Sequence, residues 1–176
     1  MSEKIILNNE SVYYPLALGN KWEYKQKDDT TYTNTITGID PQNECLFNAL
    51  NSITNQPSQI RKEGDLYFAD HFEKGNFQVF IKDNLKKGEQ WEVKFKANNY
   101  ENILVIQVKE VGISKTVENK DYTNVAMIEA ESKLIMNGNL MSLNYFTQYY
   151  YSKGIGLVLT TSSAGDYHGL ISYTIK

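Results

Sequence analysis

Cysteine is almost missing from this 176-residue chain: Cys45 stands alone, so no disulfide can form within it and stability has to come from packing. Arginine is as scarce, with Arg61 the only one among eighteen basic residues, and the formal net charge is -3. Guanidinium forks are the preferred device for reading phosphates and base edges, and a mildly acidic protein exerts no long-range pull on a polyanion. Nucleic acid is therefore not an expected partner. Histidine occurs twice, at His71 and His168, without H-x-H, H-E-x-x-H or C-x-x-C spacing, so no transition-metal site and no cofactor are expected. No segment approaches the roughly 20 apolar residues of a membrane span, and Ile5-Ile6-Leu7 is too short to be the core of a signal peptide. The chain as written is expected in the cytoplasm, or secreted or lipid-anchored if it was trimmed from a longer one.

What the chain has in quantity is aromatic and β-branched residues. Thirteen Tyr, seven Phe and two Trp, with abundant Thr, Ile and Val, suit pleated, half-buried surfaces. Alternation is clear in Trp22-Glu23-Tyr24-Lys25-Gln26-Lys27, where the two aromatics share one face and Glu23, Lys25 and Lys27 the other. Runs of this character recur over 31–39, 44–50, 65–72, 76–81, 90–96, 101–111, 113–118, 122–132, 140–151, 155–162 and 167–175. Turn signals separate them, Asn98-Asn99 and Asn137-Gly138 among them, and spacers this short join antiparallel neighbours. The expectation is a single all-β domain over 1–176. It is a strongly curved antiparallel sheet or open β-barrel of about ten strands, with little helix and an irregular lead-in over 1–20. Trp22, Tyr24, Trp91, Val93, Phe95, Leu104, Ile106, Val108, Ala126, Ile128, Leu157 and Leu159 are expected in its core.

One frame occurs twice. Gly19-Asn20-Lys21-Trp22-Glu23-Tyr24-Lys25-Gln26-Lys27 and Gly88-Glu89-Gln90-Trp91-Glu92-Val93-Lys94-Phe95-Lys96 both read G-x-x-W-E-x-K-x-K. Physically this is a glycine turn delivering a strand whose Trp begins the buried face. A duplicated half-molecule would produce it, and so would convergence of two strand starts, since the halves do not align elsewhere.

The most motif-like stretch, Lys153-Gly154-Ile155-Gly156, carries two glycines, yet the Leu157-Val158-Leu159-Thr160-Thr161 that follows favours a strand. A phosphate cradle needs a helix N-terminus after its glycines. These glycines are expected to serve as a turn and a bulge, or as room for a large aromatic. No nucleophile elbow surrounds Cys45 or any serine, and no catalytic residue is assigned. Glu129 and Glu131 share one strand face and could do acid–base work if desolvated, or simply solvate that face. A carboxylate hydrolase would need two of Glu129, Glu131, Asp70 and Asp166 to meet in a cleft.

The tyrosines are the strongest candidates for a site. Tyr145, Tyr149 and Tyr151 fall on one face of a strand, with Phe146 and Tyr150 on the other, so some rings lie outside a simple core. With Tyr32 and Tyr67 they are expected to line a concave pocket for an apolar or amphipathic small molecule. The rival reading is a protein-interaction module, and the chain is expected as a monomer or a homodimer.

Tyr14-Pro15-Leu16, Gly19-Asn20-Lys21-Trp22-Glu23-Tyr24, Lys87-Gly88-x-x-Trp91, Tyr150-Tyr151-Ser152-Lys153-Gly154-Ile155-Gly156-Leu157-Val158 and Leu170-Ile171-Ser172-Tyr173 together resemble a bacterial family of uncharacterised domains labelled TapB-like. Many of its members are secreted or lipid-anchored. The resemblance implies a curved antiparallel sheet or incomplete barrel akin to the LolA and LolB lipoprotein carriers, and it carries over no catalytic residue. Asp121-Tyr122-Thr123 stands where the family pattern has Gly-x-Phe.

Overall fold

The computed structural model describes residues 11–176, so Ile5-Ile6-Leu7 and the first half of the expected lead-in lie outside the described residues. Among the described residues twelve antiparallel strands form one sheet: β1 (Lys21–Gln26), β2 (Thr31–Asp40), β3 (Asn43–Asn51), β4 (Pro57–Glu63), β5 (Leu66–Ala69), β6 (Gln78–Lys82), β7 (Gln90–Ala97), β8 (Tyr100–Val117), β9 (Lys120–Met136), β10 (Asn139–Ser152), β11 (Gly156–Ser162) and β12 (Tyr167–Thr174). The order across the sheet is β6-β5-β4-β3-β2-β1-β12-β11-β10-β9-β8-β7. Every hydrogen-bonded pair is consecutive in the chain except β1 with β12, which joins its two ends. The molecule is thus an up-and-down meander rolled into a nearly closed barrel, and its remaining seam falls between β6 and β7.

The expected class and curvature are present, with twelve strands in place of about ten. β4 is absent from the expected runs because Pro57-Ser58-Gln59-Ile60-Arg61-Lys62-Glu63 has Ile60 as its one buried apolar residue. Conversely, the two runs expected over 101–111 and 113–118 are one strand, β8, bent at Gly112 (φ 71) and by register shifts between Val108 and Lys115. That bend folds the β8–β9 hairpin tip over the outside of the barrel. There Glu118 binds the Lys25 ammonium at 2.8 Å and accepts a hydrogen bond from the Tyr167 hydroxyl at 2.7 Å. The Tyr167 ring lies across Gly169, where a Cβ would come within 2.5 Å of its hydroxyl oxygen.

Tight turns with both central residues at positive φ close the β7–β8, β8–β9 and β9–β10 hairpins, at Asn98-Asn99, Glu118-Asn119 and Asn137-Gly138. Asparagine tolerates the left-handed region better than most residues, which is why these turns were readable as Asn-rich signals.

The two G-x-x-W frames start the two six-stranded halves and are built alike. Gly19 and Gly88 share φ 89. Gly19 N–H donates to Ile36 O and Ile36 N–H to Asn20 O; Gly88 N–H donates to Val108 O and Val108 N–H to Glu89 O. Their tryptophans then diverge. The Trp22 indole N–H donates to Ile155 O at 2.7 Å, inside the barrel, and the Trp91 indole N–H donates to Val79 O at 3.0 Å, across the seam.

Side chains close the seam where the backbone ladder does not. Besides the Trp91 bond, Lys94 N–H donates to Gln78 Oε1, Asn76 Nδ2 donates to Lys94 O, and Lys96 N–H donates to Glu73. Lys82 pairs with Glu89 at 2.9 Å and lies 4.6 Å over the Trp91 ring.

The segment before β1 plugs one end of the barrel. Tyr14 stacks on Trp22 and meets Tyr67 and Phe80 edge-on. Asp83, between β6 and β7, holds this plug: it accepts from Tyr13 N–H and the Tyr67 hydroxyl and pairs with Lys62 at 2.8 Å. Of the twelve expected core residues, eight are fully buried, while Trp91, Phe95, Leu104 and Leu157 are half-buried against them.

Candidate functional site

Alternation carries the inward residues of both halves to a common space. Tyr24 from β1, Ala49 from β3, Ile60 from β4, Phe80 from β6, Ile106 from β8, Ile128 from β9 and Tyr151 from β10 surround a cavity of about 260 Å³, and Tyr14 of the plug forms its floor. Asn34, Leu50, Asn51, Ser58, His71, Phe72, Leu104, Tyr149 and Leu157 complete the lining. Several of these lie toward the ends of strands that meet the opposite mouth, where Asn51 Nδ2 donates to Asn34 Oδ1 at 2.8 Å. The volume exceeds the roughly 150 Å³ that takes a benzene molecule and falls somewhat below the about 300 Å³ at which drug-sized sites begin.

The hydroxyls around this space are not equivalent. Tyr24 donates to Leu157 O at 2.7 Å. Tyr14 and Tyr151 have no hydrogen-bond partner for their hydroxyls among the described residues, although Tyr151 is 5% exposed. The one fully enclosed side-chain polar atom left without a partner among the described residues is the Tyr122 hydroxyl, elsewhere in the β8–β9 hairpin. The Tyr14 and Tyr151 hydroxyls therefore keep contact with the cavity space. Burial holds all of these phenols in the neutral form: it raises Tyr14 and Tyr151 well out of the ordinary range and Tyr149 to about 12.

The same cause acts in the opposite direction on the base His71. Its ring packs 4.1 Å from Phe72 and 5.5 Å from Phe80, and this desolvation lowers its pKa while Asp70 pulls it back up. The residue still exposes much of its surface at the mouth, so solvent tempers the depression.

Of the five tyrosines expected in the pocket, Tyr149 and Tyr151 line the cavity and Tyr32, Tyr67 and Tyr145 do not. Each of the three has its hydroxyl engaged in a structural bond: Tyr32 with His168 Nδ1 at 2.9 Å, Tyr67 with Asp83 at 3.0 Å, and Tyr145 with Asp166 at 2.7 Å. Period-two reading could place a tyrosine on the inner face but could not tell which hydroxyl finds a partner across the barrel. The wall supplied by Ile60, Phe72 and Phe80, and the floor supplied by Tyr14, were not assigned to the site from sequence. Ile60 stands alone among polar residues in its strand, so no period-two signal marks it.

The four carboxylates weighed for hydrolysis are separately occupied. Glu129 pairs with Lys109 and accepts from Gln148, and Glu131 accepts from Ser142. Asp70 accepts from the Gln59 and Gly75 N–H groups. Asp166 is held below its usual range by hydrogen bonds from Ser162 and Tyr145. None of the four lines the cavity. Gly154 (φ 83) lies in the turn before β11 and Gly156 (φ 117) opens that strand against the Trp22 ring, so the glycines serve as a turn and as room for an aromatic, not as an anion cradle, and the bulge itself falls at Val158.

No protein-family model and no curated protein sequence matches the chain. Two solved structures are similar to it. One is a candidate lipoprotein from Parabacteroides distasonis ATCC 8503, with a TM-score of 0.58 and 12% identity over 93% of this chain and 98% of that one. The other is a candidate exported protein with a YmcC-like fold from Bacteroides fragilis NCTC 9343, with a TM-score of 0.58 and 8% identity over 93% of this chain and 99% of that one. At such identities the likeness is one of fold, and it runs the length of both partners. Among the described residues no helix is long and apolar enough to cross a membrane.

Proposed function

We propose that this protein is a non-enzymatic binding module whose barrel interior receives an apolar or amphipathic small molecule. The observation that carries this reading is the cavity itself: an aromatic and aliphatic chamber of about 260 Å³ built from both halves of the barrel, with two tyrosine hydroxyls that have no protein partner among the described residues. A barrel evolved only for stability would close over such a space, because unfilled volume costs free energy. The two similar structures, a candidate lipoprotein and a candidate exported protein, support placing this chain in the cell envelope or outside it. They lend nothing to the cytoplasmic placement. The TapB-like resemblance points the same way, and a carrier role akin to LolA and LolB is the finer form of the proposal.

The test is native mass spectrometry of freshly purified protein, followed by titration with an environment-sensitive apolar dye. A one-to-one complex is expected with the parent chain and none with Leu104→Trp, which fills the cavity from β8 while leaving a β-rich circular dichroism spectrum. Equal dye binding by both proteins overturns the reading.

A second reading has one specific observation behind it. Leu140, Met141 and Leu143, near the β9–β10 turn, are all exposed, and adjacent positions on a strand present apolar groups to both faces. A protein-interaction module or homodimer formed through this segment would show mass rising with concentration in light scattering, and Leu140→Lys with Met141→Lys would abolish that rise.

A further inference from the structure

The floor of the cavity carries information about what enters it. Tyr14 and Tyr151 place hydroxyls against the cavity with no protein partner among the described residues, whereas the Tyr24 hydroxyl is already committed to Leu157 O. A phenol hydroxyl that faces this chamber is a donor without a protein acceptor, so a ligand that covers it without supplying an acceptor costs free energy. A ligand that presented only hydrocarbon to this floor would incur that cost, so the polar end of the ligand goes in first. Its apolar body then lies against Ile106 and Ile128 and toward the mouth.

The chamber also constrains the charge of that polar end. Among the described residues no Lys, Arg, Asp or Glu side chain lines the cavity. The phenols that line it are pushed upward, with desolvation the leading cause. An interior that desolvates its own groups in this way and carries no counter-charge on its wall disfavours a carboxylate or an ammonium carried in by a ligand.

We infer that the cavity selects an uncharged molecule with an oxygen acceptor at its leading end, a ketone, ester or ether on a chain or single ring, and discriminates against acids and amines of the same length. This rests on the binding reading above. On the scale at which about 150 Å³ takes benzene, the chamber takes roughly ten non-hydrogen atoms.

The experiment is isothermal titration of the full chain with four probes of similar size: methyl hexyl ketone, octane, octanoate and octylammonium. The ketone is expected to bind about tenfold tighter than octane, and tighter than either ion by about tenfold or more. In Tyr151→Phe and Tyr14→Phe the preference for ketone over octane is expected to shrink several-fold while octane binding persists, a readout that loss of folding could not mimic. Octanoate or octylammonium binding as well as the ketone, or a ketone-to-octane ratio unmoved by both substitutions, overturns the inference and leaves the binding reading standing. Absence of binding by all four probes overturns both.

Discussion

Gly156 leaves room for the Trp22 indole: a Cβ on Gly156 would lie 3.0 Å from Trp22 Nε1, and the same nitrogen donates to the carbonyl of the preceding residue, Ile155. Two sequence features that look independent, the G-x-x-W strand start and the K-G-I-G stretch, are thus two sides of one contact. Because Gly156 also sits at φ 117, Gly156→Ala combines backbone strain with a clash and is expected to cost about 2–4 kcal/mol. Gly88→Ala is the control: its φ of 89 is strained too, but nothing lies within 4 Å, so about 1–2 kcal/mol is expected. Denaturant midpoints of the two variants check the difference.

The two kinds of cavity tyrosine should separate by stability. Tyr24→Phe removes a bond to Leu157 O from a side chain that is 3% exposed, so a loss of about 1–2 kcal/mol is expected. Tyr151→Phe removes a hydroxyl with no protein partner among the described residues, and the ligand-free protein is expected to stay within about 0.5 kcal/mol of the parent or to gain. Thermal unfolding of both, without added ligand, is the measurement.

The hairpin tip folded over the outside should come loose in acid. Glu118 is held below its ordinary value of 4.5, first by the hydrogen bond it accepts from Lys25 and then by that from Tyr167. A carboxylate with a depressed folded-state pKa contributes stability in full above its unfolded value and loses it as pH falls through the folded one. Protection against hydrogen exchange over residues 115–122, taken relative to the intrinsic rate at each pH, is therefore expected to fall below about pH 4.5 before that of the rest of the barrel, and Glu118→Gln should show the lower protection already at neutral pH.

The seam makes a different prediction. With no backbone ladder between β6 and β7, the Trp91 bond to Val79 O is one of the few links across it. Trp91→Phe is expected to cost about 1–2 kcal/mol and to accelerate exchange selectively in residues 78–82 and 90–97. Uniform acceleration across all strands would show that the seam opens only with the whole barrel.

Much of this architecture is legible in the chain, for reasons that can be named. Trp22 and Tyr24 alternate with charged residues, so one face declares itself, and Asn137-Gly138 needs nothing beyond local backbone preference. The reading falters where local pattern and tertiary role part company. β4 is a strand because its neighbours hydrogen-bond to it, not because Pro57-Ser58-Gln59 looks like one. Gly112 reads as a break between strands and is in fact a bend within one. The site shows the same division. Parity places Tyr149 and Tyr151 on the inward face, but that Tyr67 answers to Asp83 and Tyr32 to His168 depends on contacts 16 and 136 residues apart, beyond the reach of any local window.

The pairing of β1 with β12 has a consequence for how the molecule is made. Trp22 sits opposite Tyr173, so the barrel cannot shut until the final strand has left the ribosome. Until then the edge of β1 waits with an unsatisfied row of N–H and C=O groups, next to a cavity wall still open to water. Newly synthesised chains should spend their most aggregation-prone interval in that state. A helper that shields the first half during translation, or transport in an unclosed form before the ends meet, would act on this last step rather than on the finished barrel.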